Sequence, residues 1–180
     1  VSARIASLNE PDLPPGEVLI RVSHSSLNYK DALGIHKRAP VIRKFPMVAG
    51  IDLAGVVESS TDARWRSGDA VLVTGFGIGE TRWGGLAELC RVPADFPVRL
   101  PSGMSAATAM SIGTAGLTAV LCVNALERAG LRPGAGDVLV TGAAGGVGSM
   151  AVFILSRLGH RVIASTGRAS ETEYLKSLGA

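Results

Sequence analysis

The stretch Val138–Arg168, VLVTGAAGGVGSMAVFILSRLGHRVIASTGR, leaves this chain few ways to fold. It reads as an apolar run, a cluster of glycines, a segment with helical spacing, and a second apolar run that ends on hydroxyls and an arginine. Two buried strands joined through a helix lie parallel, because a parallel pair needs a long crossover. Gly142, Gly145 and Gly148 are spaced G-x-x-G-x-x-G, with Gly146 added. The first glycine allows a tight turn, the second lets the backbone approach a pyrophosphate, and the third lets the helix pack closely on the strand. The helix N-terminus then offers free N–H groups and the positive end of its dipole to the phosphates. A glycine-rich turn without a ligand is the plain alternative. The strand before, the helix after (about Val147 to Leu158) and a second strand at Arg161–Ser165 favour dinucleotide binding, with Gly142, Ala144, Gly145, Gly146, Val147 and Gly148 as the expected contacts.

The end of the second strand decides which dinucleotide. A site for NAD places Asp or Glu there to accept from the ribose hydroxyls, whereas this chain has Ser165, Thr166, Gly167 and Arg168. Without a carboxylate there is no repulsion of a 2′-phosphate, and a guanidinium supplies charge-assisted hydrogen bonds to it. NADPH is therefore the expected cofactor. The competing account makes Arg168 a solvated loop residue.

The first half of the chain reads as β structure punctuated by turns. EVLIRVS alternates after the turn-forming PPG, SGDAVLVTG and GGLAELCRV follow the same arrangement, and Gly50 and Gly55 suggest bulges or corners of a small irregular barrel. The glycines between Gly75 and Gly85 are expected in a loop between barrel strands. From about Ser102 the texture turns helical, with Ser105 as an N-cap and a break near Gly113. The expected domains are residues 1–103 and 104–180.

No charged residue occurs between Arg99 and Glu127, which raises the question of a membrane span. The hydroxylated and small residues spread along that segment favour a buried inter-element helix instead. Eighteen basic against 15 acidic residues give a net charge of +3 with no basic stripe, so nucleic-acid binding is not expected. Cys90 and Cys122 lie far apart with no metal-ligand spacing, and VSARIASLNEPDLPPG lacks the apolar core of a secretory signal. A cytoplasmic protein without bound metal is expected.

Several segments together resemble a known family. SSLNYKDAL (25–33), FPMVAGIDLAGVV (45–57), GETRWGGLAE (79–88), IGTAGLTAVLCV (112–123), VTGAAGGVGS (140–149) and STGR with EYLKSLGA (165–180) are similar, in family order, to the zinc-independent branch of the medium-chain dehydrogenase/reductase superfamily. Within it the chain looks like the group of acryloyl-CoA reductases (NADPH), first described as quinone oxidoreductases. Zinc-containing relatives carry a Cys where this chain reads NYKDAL and a His-Glu pair where it reads GIDLAG; neither is present. The resemblance implies a mixed β and α/β fold, a GroES-like β-barrel domain followed by a Rossmann domain truncated after two strands. It also implies a homodimer.

By the same resemblance, hydride passes from the nicotinamide to the β-carbon of an α,β-unsaturated thioester, and a proton is then added at the α-carbon. Asn28 and Tyr29 are the catalytic candidates, with Tyr29 also expected at the nicotinamide end of the cofactor. Asn28 followed by Asp31 equally spells a helix N-cap. Acyl-CoA is the expected substrate. An NADPH:quinone oxidoreductase and a non-catalytic NADPH-binding protein are the alternatives.

Overall fold

The computed structural model describes residues 3–180, and the chain divides into two compact units, one ending at Thr114 and one running Ala115–Ala180. The first unit is built on a five-stranded antiparallel sheet in the order β4-β1-β2-β3-β5, from β1 (Val18–Ser25), β2 (Asp52–Ser60), β3 (Ala70–Thr74), β4 (Leu89–Val92) and β5 (Val98–Arg99). β3 and β4 alternate as strands of a sheet with one buried face do, whereas Val18–Ile20 and Asp52–Gly55 are buried without alternation. Val18, Ile20, Leu53, Val57, Val71, Val73, Cys90 and Val92 meet in a single core. Each fully buried aliphatic side chain contributes about 1.5–3 kcal/mol. The β1–β2 register slips near Leu19 and again near Val22, and at the second slip Gly55 passes so close to the Arg21 carbonyl that a side chain has no room there. GGLAELCRV is strand only from Leu89, because Gly84 and Gly85 press against the backbone of Ala49–Asp52.

The texture change near Ser102 marks the start of the helix α2 (Ala106–Arg128), whose first turn is capped by Ser105 Oγ accepting the Thr108 N–H at 3.0 Å. The division between the units falls within this helix, just after Gly113 (φ 47°, ψ −155°) breaks it. By length and composition α2 could cross a bilayer, with a mean hydropathy of 1.7 in its most apolar window. Ala109, Met110, Ala119 and Val123 along it are buried, whereas Leu117, Val120, Leu121 and Leu126 are exposed, so the expected burial of this helix is met only in part.

In the second unit β6 (Asp137–Thr141) pairs in parallel with β7 (Arg161–Ser165), and α3 (Gly146–Arg157) crosses between them. Gly148, Val152 and Leu155, at helical spacing, form its buried face, and they pack with Val138, Val140, Val162 and Leu175. Leu175 comes from α4 (Thr172–Ser177), which a short 3-10 turn at Ala169–Glu171 introduces. The other face of this sheet is bare: Leu139 and Ile163, paired in register, are 61% and 48% exposed.

The two thiols are free and differ sharply in environment. Cys90 is buried, donates to the Trp83 carbonyl at 3.7 Å, and burial pushes its pKa up to about 12. Alkylation at about pH 8 is expected to modify exposed Cys122 and to spare Cys90 until the chain unfolds. Intact-mass measurement checks this: two labels on the native protein would contradict it.

Candidate functional site

The parallel register Thr141↔Ser165 brings the carboxyl ends of β6 and β7 side by side, so that the loop after each strand opens on the same crevice. In open α/β sheets this is where ligands bind. Gly142 has φ 59°, a left-handed turn that only glycine adopts without strain, and a side chain there would point into open space. The turn is fixed from both sides: the Ala143 N–H donates to the Ser165 carbonyl at 3.0 Å and the Gly145 N–H to the Gly142 carbonyl at 2.9 Å. Gly145 is the N-cap of α3, which leaves the first-turn amides of Gly146, Val147 and Gly148 without an i−4 carbonyl.

Gly142, Ala144, Gly145, Ser165, Thr166, Gly167 and Arg168 line one open depression of about 370 Å³. Of the other expected contacts, Gly146 lies against Ala115, Val147 faces outward, and Gly148 is buried between α3 and the turn. A Cβ at Gly148 would collide with the Gly142 carbonyl and stand 2.7 Å from the Ala143 Cα. Its role is packing, which sets how near α3 comes to the turn at Gly142.

Arg168 is exposed and loosely held. Its guanidinium reaches the Ala144 carbonyl at 3.5 Å and Glu171 at 3.6 Å, and its amide donates to Thr166 Oγ1 at 3.3 Å. Exposed pairs of this kind contribute little. The side chain therefore stands over the depression with donors free to turn toward an anion. Among the described residues no carboxylate lines the depression.

Asn28 and Tyr29 lie in the first unit, at the start of the short helix α1 (Tyr29–Ile35). Asn28 is its N-cap, and Asp31 reaches back to accept the Asn28 N–H at 2.9 Å, so the cap written in the sequence is formed. Tyr29 is 80% exposed, and its hydroxyl makes no hydrogen bond among the described residues. Asn28 does more than cap. Its Nδ2 donates to Asp52 Oδ2 at 2.9 Å and to Ser26 Oγ at 3.1 Å.

Asp52 is the residue that the sequence reading passed over. It is fully buried at the start of β2 and accepts from Ser26 Oγ at 2.5 Å, from Asn28, from the Thr114 N–H at 3.0 Å and from Thr114 Oγ1 at 2.7 Å. Burial pushes its pKa up, but the hydrogen bonds from Ser26, Thr114 and Asn28 outweigh that and hold it below the ordinary carboxylate value. The available signal was a lone carboxylate inside the apolar run VAGIDLAGVV. Arg38, Arg43 and Lys44 are exposed cations, and among the described residues His24, His36 and His160 join no metal-ligating group. Among the described residues no group of three or more His, Cys, Asp or Glu side chains is placed to hold a metal ion.

Comparison with known proteins adds the following. Residues 14–102 match the alcohol dehydrogenase GroES-like domain. The chain is 52% identical over 178 residues to acrylyl-CoA reductase AcuI of Ruegeria pomeroyi, covering 99% of this chain and 54% of that protein. It superposes on the crystal structure of Escherichia coli K-12 YhdH with bound NADPH at a TM-score of 0.97 and 56% identity, covering 99% of this chain and 55% of the other. The crystal structure of Bacillus subtilis YhfP with NAD bound superposes at a TM-score of 0.94 and 46% identity, over 99% and 54% respectively. The chain thus spans about half the length of the curated relatives it matches.

Proposed function

The chain belongs to the medium-chain dehydrogenase/reductase superfamily, with residues 14–102 as its alcohol dehydrogenase GroES-like domain, and on that footing we propose that the whole protein is a zinc-independent, NADPH-dependent oxidoreductase. Its reaction is reduction of the carbon–carbon double bond of an α,β-unsaturated acyl-CoA, acryloyl-CoA to propanoyl-CoA. One observation carries the cofactor half of the reading: the depression beyond β6 and β7 combines an open left-handed turn at Gly142, a helix N-terminus, no carboxylate among the described lining residues, and an exposed guanidinium at Arg168. The acyl-CoA half is supported by 52–56% identity to proteins named acrylyl-CoA reductase.

The residues present fit NADPH. Gly142 and Gly145 leave space over the turn for a pyrophosphate, and the amides opening α3 are directed at it. Ser165, Thr166 and Arg168 form the end that takes the adenosine ribose and its 2′-phosphate. Bound there, the nicotinamide supplies the hydride. The chain's own part is to fix that cofactor, and Asn28 and Tyr29 are the candidates for the catalytic step. A cytoplasmic homodimer with no membrane or nucleic-acid partner completes the reading, and the free thiols and the small net charge support it.

NADPH consumption by the purified whole protein with acryloyl-CoA and, in parallel, with a simple quinone tests this directly. Turnover of the thioester in preference to the quinone is expected. Preference for the quinone would replace the substrate assignment, and NADPH affinity without turnover of either would reduce the protein to a binder.

A further inference from the structure

We propose that Asp52 is a positioning residue for the reduction, acting through Asn28: it turns both N–H bonds of the Asn28 amide inward and so fixes the orientation of that side chain. The inference rests on the reading above, which takes Asn28 as a catalytic candidate.

A buried carboxylate is an expensive choice for a merely structural position, since the desolvation penalty amounts to several kcal/mol and no Lys, Arg or His offsets it among the described residues. A carboxylate can do one thing that a neutral amide cannot, which is to accept at every lone pair. Four donors converge on Asp52, three of them on Oδ2: Ser26 Oγ, Asn28 Nδ2 and the Thr114 N–H. This settles the orientation of Asn28, because the group that faces an obligate acceptor must be its NH2. Both of its hydrogens are then used, one on Asp52 and one on Ser26. In this state Asn28 has no N–H left for an oxygen that gains negative charge.

The same oxygen fixes the other side of the network. Thr114 opens the stretch of α2 after its kink, and its N–H meets Asp52 as the first amide of a helix meets an N-cap. A Cβ at Gly113 would stand 2.8 Å from Asp52 Oδ2 and 3.1 Å from Ser26 Oγ, so the kink is shaped around the carboxylate. The loop before α1 and the bend of α2 are thereby held to one atom.

The test is a double-mutant cycle in the whole protein, with kcat and KM measured for each variant. Asp52→Asn is expected to lower kcat about tenfold to a hundredfold while KM for NADPH moves less than about threefold, the signature of lost orientation rather than lost binding. In an Asn28→Ala background the same change is expected to cost less than about threefold. Additive losses would overturn the proposal, since damage to the fold would act whatever occupies position 28. If Asp52→Asn does not fold, Ser26→Ala releases one Asn28 N–H without touching the charge, and an unchanged kcat there would overturn it equally. A second readout does not depend on the activity assignment: the Asn28 Nδ2 protons, followed by NMR, are expected to exchange slowly, and roughly tenfold faster in Ser26→Ala. Fast exchange in the unaltered protein would refute the lock itself, whereas slow exchange in a protein that reduces neither substrate would fault only the functional reading.

Discussion

Gly148→Val is expected to abolish dinucleotide binding and to lower the thermal stability of the second unit together. The added Cβ would collide with the Gly142 carbonyl and lie 2.7 Å from the Ala143 Cα, both backbone atoms that cannot move as a flexible side chain can. Overpacking of this kind costs roughly 1–3 kcal/mol even where side chains can adjust. Relief requires α3 to lift from the turn, which separates Val152 and Leu155 from Val138 and Val162 and withdraws the first-turn amides from the phosphate position. Gly145→Val makes the informative contrast. Its Cβ would meet only the Gly142 carbonyl, at 3.2 Å, and otherwise projects into open space. That variant is expected to keep its melting temperature within a few degrees, since surface changes stay within about 0.5 kcal/mol, yet to lose nucleotide binding because the side chain occupies the approach to the turn. Calorimetric melting and cofactor titration of both variants decide the matter: retained affinity in Gly145→Val would contradict the phosphate-turn assignment.

The contrast also shows why the nucleotide half of the chain was legible in the sequence and the first half much less so. The information in GAAGGVGS is local: the strand, turn and helix lie within thirty residues, and the helical face Gly148, Val152, Leu155 follows from spacing alone. The break at Gly113 and the cap at Ser105 are local features of the same kind. Asp52 is different, since its donors come from 24 to 62 positions away and its significance arises only when β2, the loop before α1 and the bend of α2 are brought together. Spacing carries no trace of that. NYKD shows the intermediate case: the cap from Asn28 to Asp31 is local and readable, whereas the commitment of the Asn28 amide to Asp52 is tertiary. The lone strand start GGLAEL likewise reads as β by alternation, and close approach of Gly84 and Gly85 to a neighbouring backbone delays the strand to Leu89.

Arg168→Ala is expected to weaken NADPH about tenfold to a hundredfold while NADH affinity changes less than about threefold, because a hydrogen bond to a charged group contributes roughly 1.5–3 kcal/mol and only the phosphorylated ribose supplies one. Solvent exposure of the guanidinium favours the lower end of that range, since water competes for the same donors. Glu171 tilts the balance further. At 3.6 Å it attracts the arginine away from an incoming phosphate, so Glu171→Gln is expected to tighten NADPH modestly and to leave NADH unchanged. The two substitutions thus move the same ratio in opposite directions, which a general disturbance of the turn would not do. The crystal structure of the Bacillus subtilis relative with NAD bound makes the ratio, rather than either affinity alone, the quantity to measure. Equal losses of both cofactors in Arg168→Ala would assign Arg168 to the shape of the loop, and the preference for NADPH would then have to come from Ser165 and Thr166, whose hydroxyls line the same depression.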